Sequence, residues 1–368
     1  MNKAIKYRLY PIKEQEEMFA KTFGCCRKIW NLMLNDKIEH YKSAKKMLQT
    51  TPAQYKKQEE YKYLKEVDSL ALANVQLHLQ TAYKNFFRDK KIGFPKFKSA
   101  KHSKKTYTTN NQNGTVSIIG NGIKLPKVGI VKAKIHRQPD TDWKIKSATI
   151  SQDSDGKFYA SILYEFEKIV SKVPISDRVI GLDYKSDGLY VDSDGNVCGS
   201  PKYYRKSQKK LARLQRQLSR KENGSNNRNK ARLKVARLQK HTANQRLDFL
   251  HKKSTEIANQ YDAVCVETLD MKNMSNKGFG NGKATLDNGY GLFLTMLEYK
   301  LTDRGKYFVK VDKWYPSSQL CYCCGKQHKE MKNLLTRQFV CDCGYKNDRD
   351  INASLNIKKE GLRLLTVA

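Results

Sequence analysis

The chain has 368 residues, of which 71 are Lys or Arg and 36 are Asp or Glu, so its formal net charge is +35. Hydrophobic residues make up 39% of the chain, which is enough to bury a core and excludes a wholly disordered protein. A compact chain with this charge repels itself unless it binds a polyanion, such as nucleic acid, an acidic membrane or an acidic protein.

Neither a membrane nor secretion is indicated by the hydrophobic pattern. No stretch approaches the ~18 apolar residues that a membrane helix needs. The N-terminal residues MNKAIKYRLYPIKEQEE have no apolar signal core. We therefore expect an intracellular nucleic-acid-binding protein of two or three domains with no membrane partner.

The N-terminal half predicts helices followed by strands. Residues 3–9 predict a short strand, and apolar residues at three- and four-residue steps predict helices to about Lys91, with a break at Thr51-Pro52. The basic, aromatic stretch GFPKFKSAKHSKKTYTT then fits either a solvated loop or a phosphate-binding surface, and the net charge favours the second. Residues 116–167 predict a small antiparallel sheet or barrel with a hairpin turn at Asp155-Gly156.

The C-terminal half contains an unusually basic helical hairpin. Between Lys202 and Lys253 there are 18 Lys or Arg against two acids, and residues 223–229 (NGSNNRN) predict its tip. A solvated helix face normally mixes both signs of charge, so phosphate binding is the favoured interpretation. Strands are predicted over 178–200, 261–269 and 306–314, and helices over 291–305 and at the C-terminus.

Five of the nine cysteines lie between Cys321 and Cys343, in the sequences CYCCG and CDCG. Glycine follows the last cysteine of each group and tolerates the tight turn that points N–H groups at sulfur. This repetition favours four ligands of one structural zinc, with Cys323 spare. Free thiols in a loop and His328 as a substitute ligand are the weaker alternatives. The four predicted zinc ligands are Cys321, Cys324, Cys341 and Cys343.

Three acids occupy positions where a lone carboxylate is costly. Asp183 lies on an apolar strand, Glu267 ends another, and Asp350 precedes the last helix. Brought together they would repel one another, and divalent cations would relieve that repulsion, as in two-metal phosphodiester hydrolysis. Each acid alone is explained as a surface residue, but three of them in so basic a chain favour a nuclease site.

In this order, the motifs resemble those of the TnpB family, transposon-encoded RNA-guided nucleases related to type V CRISPR effectors. The resemblance covers nearly the whole chain. It is carried by KYRLYPIKEQEEMF, GFPKFKSAK, GLDY, NQRLDFLHKKS, VCVETLDMKNM, WYPSSQLCYCCG, CDCG and NDRDINASLNI.

The resemblance implies a multidomain α/β fold with an RNase H-like (RuvC) nuclease domain. That domain would comprise residues 173–317 and 346–368, with the basic hairpin at 202–256 and an inserted zinc ribbon at 318–345. A β-barrel wedge domain would comprise residues 1–10 and 92–172, and a helical recognition module residues 11–91. Asp183, Glu267 and Asp350 fall on the family's catalytic acids, with Asp348 as second choice, and would bind Mg²⁺ or Mn²⁺.

The function that the resemblance implies is RNA-guided cleavage of double-stranded DNA next to a short transposon-adjacent motif. The partner would be a guide RNA from the transposon end, and we expect a cytoplasmic, nucleoid-associated monomer. Tyr184 departs from the glycine that many members carry soon after the first acid, and it would crowd the metal site or pack beside it. Alternatives are a non-cleaving RNA-guided repressor, a basic zinc-ribbon RNA-binding protein and a strand-transferring transposase.

Nucleic-acid contacts are predicted on two basic segments and one helix. Polar residues of the helix over 69–87 (Asn74, Gln76 and Gln80) are expected to be exposed near the motif-reading surface. The basic contacts are predicted to be Lys96, Lys98, Lys209, Arg213, Arg216, Arg220, Arg232 and Arg237.

Overall fold

Two large sheets organise the chain, one in each of two units. The computed structural model describes residues 1–276, 282–333 and 335–367, and the chain divides into the units Met1–Lys168 and Ile169–Ala368. None of the helices in these ranges combines the length and hydrophobicity that would let it span a lipid bilayer.

The N-terminal unit combines three helices with seven strands. Short 3-10 helices lie at Glu59–Lys65 and Lys90–Ile92. The elements are β1 (Asn2–Tyr10), α1 (Lys13–Ala44), α2 (Pro52–Lys56), α3 (Ser69–Arg88), β2 (Lys105–Asn110), β3 (Ser117–Ile119), β4 (Gly122–Leu125), β5 (Gly129–Lys134), β6 (Lys144–Gln152) and β7 (Phe158–Glu165).

The seven strands form one antiparallel sheet in the order β2-β6-β7-β1-β5-β4-β3. The N-terminal strand β1 lies in its centre, between β7 and β5. The predicted hairpin turn is present: the N–H of Gly156, with φ +86°, donates to the carbonyl of Asp153 at 2.9 Å. Strands β2 and β3 are the two edges of this sheet and do not pair with each other. The hydrogen bonds therefore do not close the sheet into the predicted barrel.

Helices α1 and α3 pack on this sheet, and α1 does so through aromatic side chains. The ring of Phe19 lies 5.4 Å from that of Phe158, and the ring of Phe23 lies 5.7 Å from that of Tyr107. The predicted break at Thr51-Pro52 is also present, since α2 begins at Pro52.

The C-terminal unit surrounds a second sheet with helices and carries a small β-ribbon. A short 3-10 helix lies at Lys329–Lys332. The elements are β8 (Val179–Tyr184), β9 (Gly188–Asp192), β10 (Val197–Gly199), α4 (Tyr203–Ser219), α5 (Asn226–Gln260), β11 (Ala263–Glu267), α6 (Met271–Met274), α7 (Gly282–Asn288), α8 (Tyr290–Thr302), β12 (Tyr307–Val311), β13 (Gln338–Val340), β14 (Lys346–Asp348) and α9 (Arg349–Val367).

The second sheet has the order β10-β9-β8-β11-β12, and β8, β11 and β12 run parallel. Their carboxyl ends therefore meet at one edge. Strands β8 and β11 are nearly continuous in apolar residues because both faces of this part of the sheet are covered. Helices α5 and α8 pack on the face that carries Leu182 and Val266, and α9 packs on the opposite face against Val179 and Cys265.

The basic hairpin consists of α4 and α5, with Leu211 and Val235 buried in its seam. Its tip is shorter than the predicted segment 223–229, because α5 already begins at Asn226. The reason is a side-chain cap that the sequence analysis did not include: the Ser225 hydroxyl accepts the N–H of Arg228 at 3.1 Å.

Two glycines allow α9 to lie directly on the sheet. A Cβ atom at Gly181 in β8 would overlap the carbonyl oxygen of Ser354 and lie 2.7 Å from the backbone nitrogen of Lys358. A Cβ atom at Gly361 in α9 would lie 2.6 Å from the Cβ of Cys265 in β11. The position of the last helix thus depends on glycine, which has no side chain, at both positions.

Replacing Gly181 by alanine is expected to lower the free energy of unfolding by about 2–3 kcal/mol, because the methyl group must push α9 away from β8. Urea unfolding at neutral pH measures this loss. The matched control is Gly199→Ala in β10 of the same sheet, where nothing lies within 4 Å of the added atom. Equal stability of the two variants would contradict the close approach of α9.

Candidate functional site

Asp183 and Glu267 are neighbours at the carboxyl ends of two parallel strands. Leu182 of β8 pairs with Val266 of β11, so the next residue on each strand brings the two carboxylates side by side. Side chains alternate along a strand, and both acids therefore point away from the face of Leu182 and Val266. They lie on the face that α9 covers.

Asp350 reaches the same place from the first turn of α9, and its side chain is 13% exposed. Asp183 is close enough to both Glu267 and Asp350 for their negative charges to raise its pKa. The neighbouring Asp348 is exposed and caps α9 instead, since its carboxylate accepts the N–H groups of Asp350 at 2.8 Å and Ile351 at 3.2 Å.

The two strand carboxylates resist ionisation. Burial, followed by the charges of Glu267 and Asp350, raises the pKa of Asp183 well above its usual range. Burial also raises the pKa of Glu267 from 4.5 to about 6. Partly buried carboxylates that repel one another form a donor set that suits a hard divalent cation.

Three cationic side chains line the Asp350 carboxylate. Its oxygens lie 3.3 Å from Lys185 Nζ, 3.7 Å from Arg349 Nε and 4.0 Å from Arg337 Nη1. None of the three was predicted from the sequence. Lys185 follows Asp183 by two residues and Arg349 precedes Asp350, so the sequence could have predicted that these two lie near the acids. Arg337 belongs to the cysteine-rich segment, and nothing in the sequence indicates that it lies near Asp350.

Tyr184 does not crowd the carboxylates. It belongs to the opposite face of β8, where its ring lies 4.8 Å from that of Tyr290. Its hydroxyl donates to Thr285 Oγ1 at 3.2 Å and accepts from Asn288 Nδ2 at 3.1 Å. Of the two roles considered for this departure from the family pattern, packing beside the site is the one observed.

The four predicted cysteines converge. The sulfur atoms of Cys321, Cys324, Cys341 and Cys343 all lie within 4.8 Å of one another, with 3.7 Å between Cys321 and Cys343. A tetrahedral zinc with Zn–S bonds of about 2.3 Å places its sulfurs about 3.8 Å apart. Among the residues that the structure describes, these cysteines are the one group of three or more His, Cys, Asp or Glu side chains whose ligand atoms all lie within 4.8 Å of one another.

The turns around the sulfurs follow the predicted glycine pattern. Gly325 and Gly344 have φ values of +76° and +88°. The backbone N–H of Lys326, together with the neighbouring thiols, lowers the pKa of Cys324 to about 7. His328 lies outside the four-sulfur group and contacts Cys341 Sγ through Nε2 at 3.2 Å.

Asparagines of α9 attach the cysteine-rich segment to the helix that carries Asp350. Asn352 Nδ2 donates to the carbonyl of Leu320 at 2.8 Å, and its Oδ1 accepts the N–H of Tyr322 at 3.1 Å. Asn356 Nδ2 donates to the carbonyl of Ser317 at 2.9 Å. The cysteine cluster and Asp350 are therefore held by the same two turns of one helix.

The predicted basic contacts on the hairpin are all exposed, and they lie on α4, at its C-cap residue Arg220 and on α5. These residues are Lys209, Arg213, Arg216, Arg220, Arg232 and Arg237.

In the N-terminal unit, Asn31 fixes Lys98 through two backbone hydrogen bonds of 2.8 Å, and Lys98 lines a cavity of about 350 Å³. Lys96 and Gln80 are exposed. Asn74 was expected to be exposed, which is wrong: it is buried, and its amide donates to Leu70 O at 2.9 Å because α3 packs this face against β2.

Comparison with known proteins gives consistent matches along the chain. Family models match residues 1–46 (a helix-turn-helix domain), 161–278 (OrfB_IS605, described as a probable transposase) and 290–357 (a Cas12f1-like TNB domain). A curated protein of Streptomyces pristinaespiralis is 34% identical over 98% of this chain and 90% of its own length. InsQ of Escherichia coli K12 is 33% identical over 98% of this chain and 93% of its own length.

Both relatives are named as a "Putative RNA-guided DNA endonuclease". Among solved structures, a Cas12f1 chain from a complex with guide RNA and target DNA matches 97% of this chain and 98% of its own, with a TM-score of 0.62 at 13% identity. The shared fold thus spans nearly the whole chain. The chain belongs to the TnpB (OrfB of IS605) family, as its motifs predicted.

The purified chain is expected to contain about one zinc ion, because four thiolates complete a tetrahedral site. Cys324→Ser should lose this metal and unfold at a lower temperature, whereas Cys323→Ser should keep both properties. Elemental analysis and thermal unfolding measure the two effects. Loss of zinc from Cys323→Ser but not from Cys324→Ser would contradict the assignment of ligands.

Glu267→Gln is expected to stabilise the protein by up to about 2 kcal/mol at pH 7 in magnesium-free buffer. The folded chain binds the Glu267 proton more tightly than the unfolded chain does, so this residue lowers stability as the pH rises from 4.5 to about 6. The gain should therefore vanish toward pH 4. Exposed Glu222→Gln in the hairpin tip serves as the control, and a less stable Glu267→Gln variant would refute the electrostatic argument.

Proposed function

We propose that this chain is an RNA-guided endonuclease that cleaves double-stranded DNA beside a short transposon-adjacent motif. The observation that carries the proposal is the juxtaposition of Asp183 and Glu267 on adjacent strands with Asp350 on the helix above them. Two relatives with the corresponding name, each about one third identical over 98% of the chain, support it.

We infer that the C-terminal unit is an RNase H-like, RuvC-type nuclease domain. Its sheet has two antiparallel strands at one side and three parallel strands, two of which carry Asp183 and Glu267 at their carboxyl ends, which is consistent with that fold. The cysteine cluster lies between β12 and α9, in agreement with an inserted zinc ribbon at 318–345. The N-terminal unit then supplies the wedge domain and the helical recognition module.

Asp183, Glu267 and Asp350 would hold Mg²⁺ or Mn²⁺, and their repulsion is what such a cation offsets. When bound, the metal supplies activation of the attacking water and stabilisation of the leaving 3′ oxygen. The chain itself contributes orientation and charge. Lys185 and Arg349 orient the Asp350 carboxylate, and Arg337 adds an exposed guanidinium where a phosphodiester would approach.

The partners follow from charge and exposure. A chain of net charge +35 gains affinity from phosphates, whereas base pairing with a guide RNA supplies the sequence readout. The exposed arginines of α4 and α5 and Lys96 and Lys98 would contact RNA or heteroduplex backbone, and Gln80 of α3 would lie near the motif-reading surface. We expect the complex to act as a monomer in the cytoplasm, on the nucleoid.

Asp183→Asn is expected to reduce cleavage by about a thousandfold or more, because it removes a metal-binding charge without changing the shape of the side chain. The RNA that co-purifies with the chain is sequenced, and the complex is given a matched plasmid with a randomised flanking motif in magnesium. Linearised product is measured over time, and RNA and DNA binding should remain near wild-type.

Exposed Asp187→Asn, four residues further along, is the matched control and should cleave normally. Cleavage by Asp183→Asn at the wild-type rate would refute the site. A wild-type complex that binds matched DNA without cutting it would instead identify a repressor.

A further inference from the structure

Trp314 lies beside the carboxylate edge of the second sheet. Strand β12 ends at Val311, which pairs with Glu267. Thr268, the next residue after Glu267, donates both its N–H (3.2 Å) and its hydroxyl (2.7 Å) to the carbonyl of Val311. The chain that leaves β12 is therefore tied to the strand end that carries Glu267.

The segment that carries Trp314 is a fixed turn. The N–H of Tyr315 donates to the carbonyl of Asp312 at 3.1 Å, and the N–H of Trp314 donates to Asp312 Oδ1 at 2.8 Å. Tyr315 packs with the apolar cluster under α9, and its hydroxyl donates to the carbonyl of Asn356 at 3.4 Å. The backbone of Trp314 and the following residue, Tyr315, are thus positioned by the turn and by α9.

The indole itself is left in solvent. Trp314 is 79% exposed, whereas Trp30 of the N-terminal unit is 7% exposed and Trp143 stacks on Phe166. Lys313 places its ammonium 4.6 Å from the centre of the Trp314 ring, and none of the described acids forms a salt bridge with this lysine. An aromatic face next to an uncompensated cation is the combination with which proteins hold single-stranded nucleic acid, through base stacking and phosphate attraction.

The short length of chain between Val311 and Trp314 limits how far the Trp314 backbone can lie from the carboxylates. Adjacent strands are about 4.8 Å apart, and three residues of chain reach at most about 11 Å. Since bases repeat about every 3.4 Å along a strand, the indole lies within a few nucleotides of a phosphodiester bound at the acids.

We propose that Trp314 stacks on an unpaired nucleobase of the DNA strand that enters the site of Asp183, Glu267 and Asp350. This inference rests on the proposed nuclease function. Stacking fixes the strand on one side of the scissile phosphate, and Lys313 neutralises a flanking phosphate. Trp314 is thus a positioning residue that selects an unstacked, single-stranded substrate.

The first test compares three variants in single-turnover cleavage by preassembled complexes. Trp314→Leu, which keeps an apolar side chain but has no π face, should slow cleavage by about tenfold or more. Trp314→Phe retains an aromatic face and should keep most of the rate. Val197→Ala, at a 57% exposed apolar residue of β10, should cleave as the wild type does. Equal rates for the Leu, Phe and wild-type chains would overturn the proposal.

The second test is independent of cleavage and uses the Asp183→Asn complex with its co-purified RNA. Matched DNA should quench tryptophan fluorescence, because stacking on a base quenches indole, and the quenching should be lost in Asp183→Asn/Trp314→Phe. Quenching that persists without Trp314, or that never occurs on bound DNA, would overturn the stacking. If the wild type fails to cut while this quenching is present, the nuclease proposal fails and the stacking stands.

Discussion

Helix α9 lies close to the sheet because Gly181 and Gly361 stand at two of its contact points, where a Cβ atom would overlap the backbone of α9 and the side chain of Cys265, respectively. This close approach governs the functional site. It places the first turn of α9 above the carboxyl ends of β8 and β11, and with it Asp350 beside Asp183. A side chain at either glycine would increase the distance between the helix and the sheet. It would thereby move Asp350 relative to Asp183 and Glu267.

The arrangement is unfavourable for the protein alone. Burial raises the pKa of both Asp183 and Glu267, and repulsion by Glu267 and Asp350 adds to the shift of Asp183, so part of the folding free energy is used to bury these acids. Sites that concentrate charge in this way are typical of binding and catalysis, where a ligand compensates the repulsion. Arg349 and Lys185, which surround Asp350, also act to lower the pKa of Asp183, but burial and repulsion outweigh them there.

The cysteine cluster and the three acids are joined through the same helix. Asn352 and Asn356 hold the cysteine-rich segment, Asp350 lies in the first turn of that helix, and Arg337 extends from the segment toward Asp350. A metal bound by the four cysteines would therefore also fix one wall of the acid site. In the proposed nuclease, such a metal would support the position of the acids without taking part in the reaction.

Local sequence determined much of this protein. Features encoded within a few residues could be predicted from the sequence. They are the strands, the helix break at Thr51-Pro52, the hairpin of α4 and α5 and the turns in which glycine follows Cys324 and Cys343. Asp183 and Glu267 were recognisable because a carboxylate at the end of an apolar strand is conspicuous, and Asp350 because it lies in a family motif at the start of the last helix. Only the tertiary structure decided that Arg337 faces Asp350, that Asn74 is buried and that Tyr184 turns away from the acids. Those outcomes depend on which distant segments pack together, and such contacts leave no periodicity in the chain.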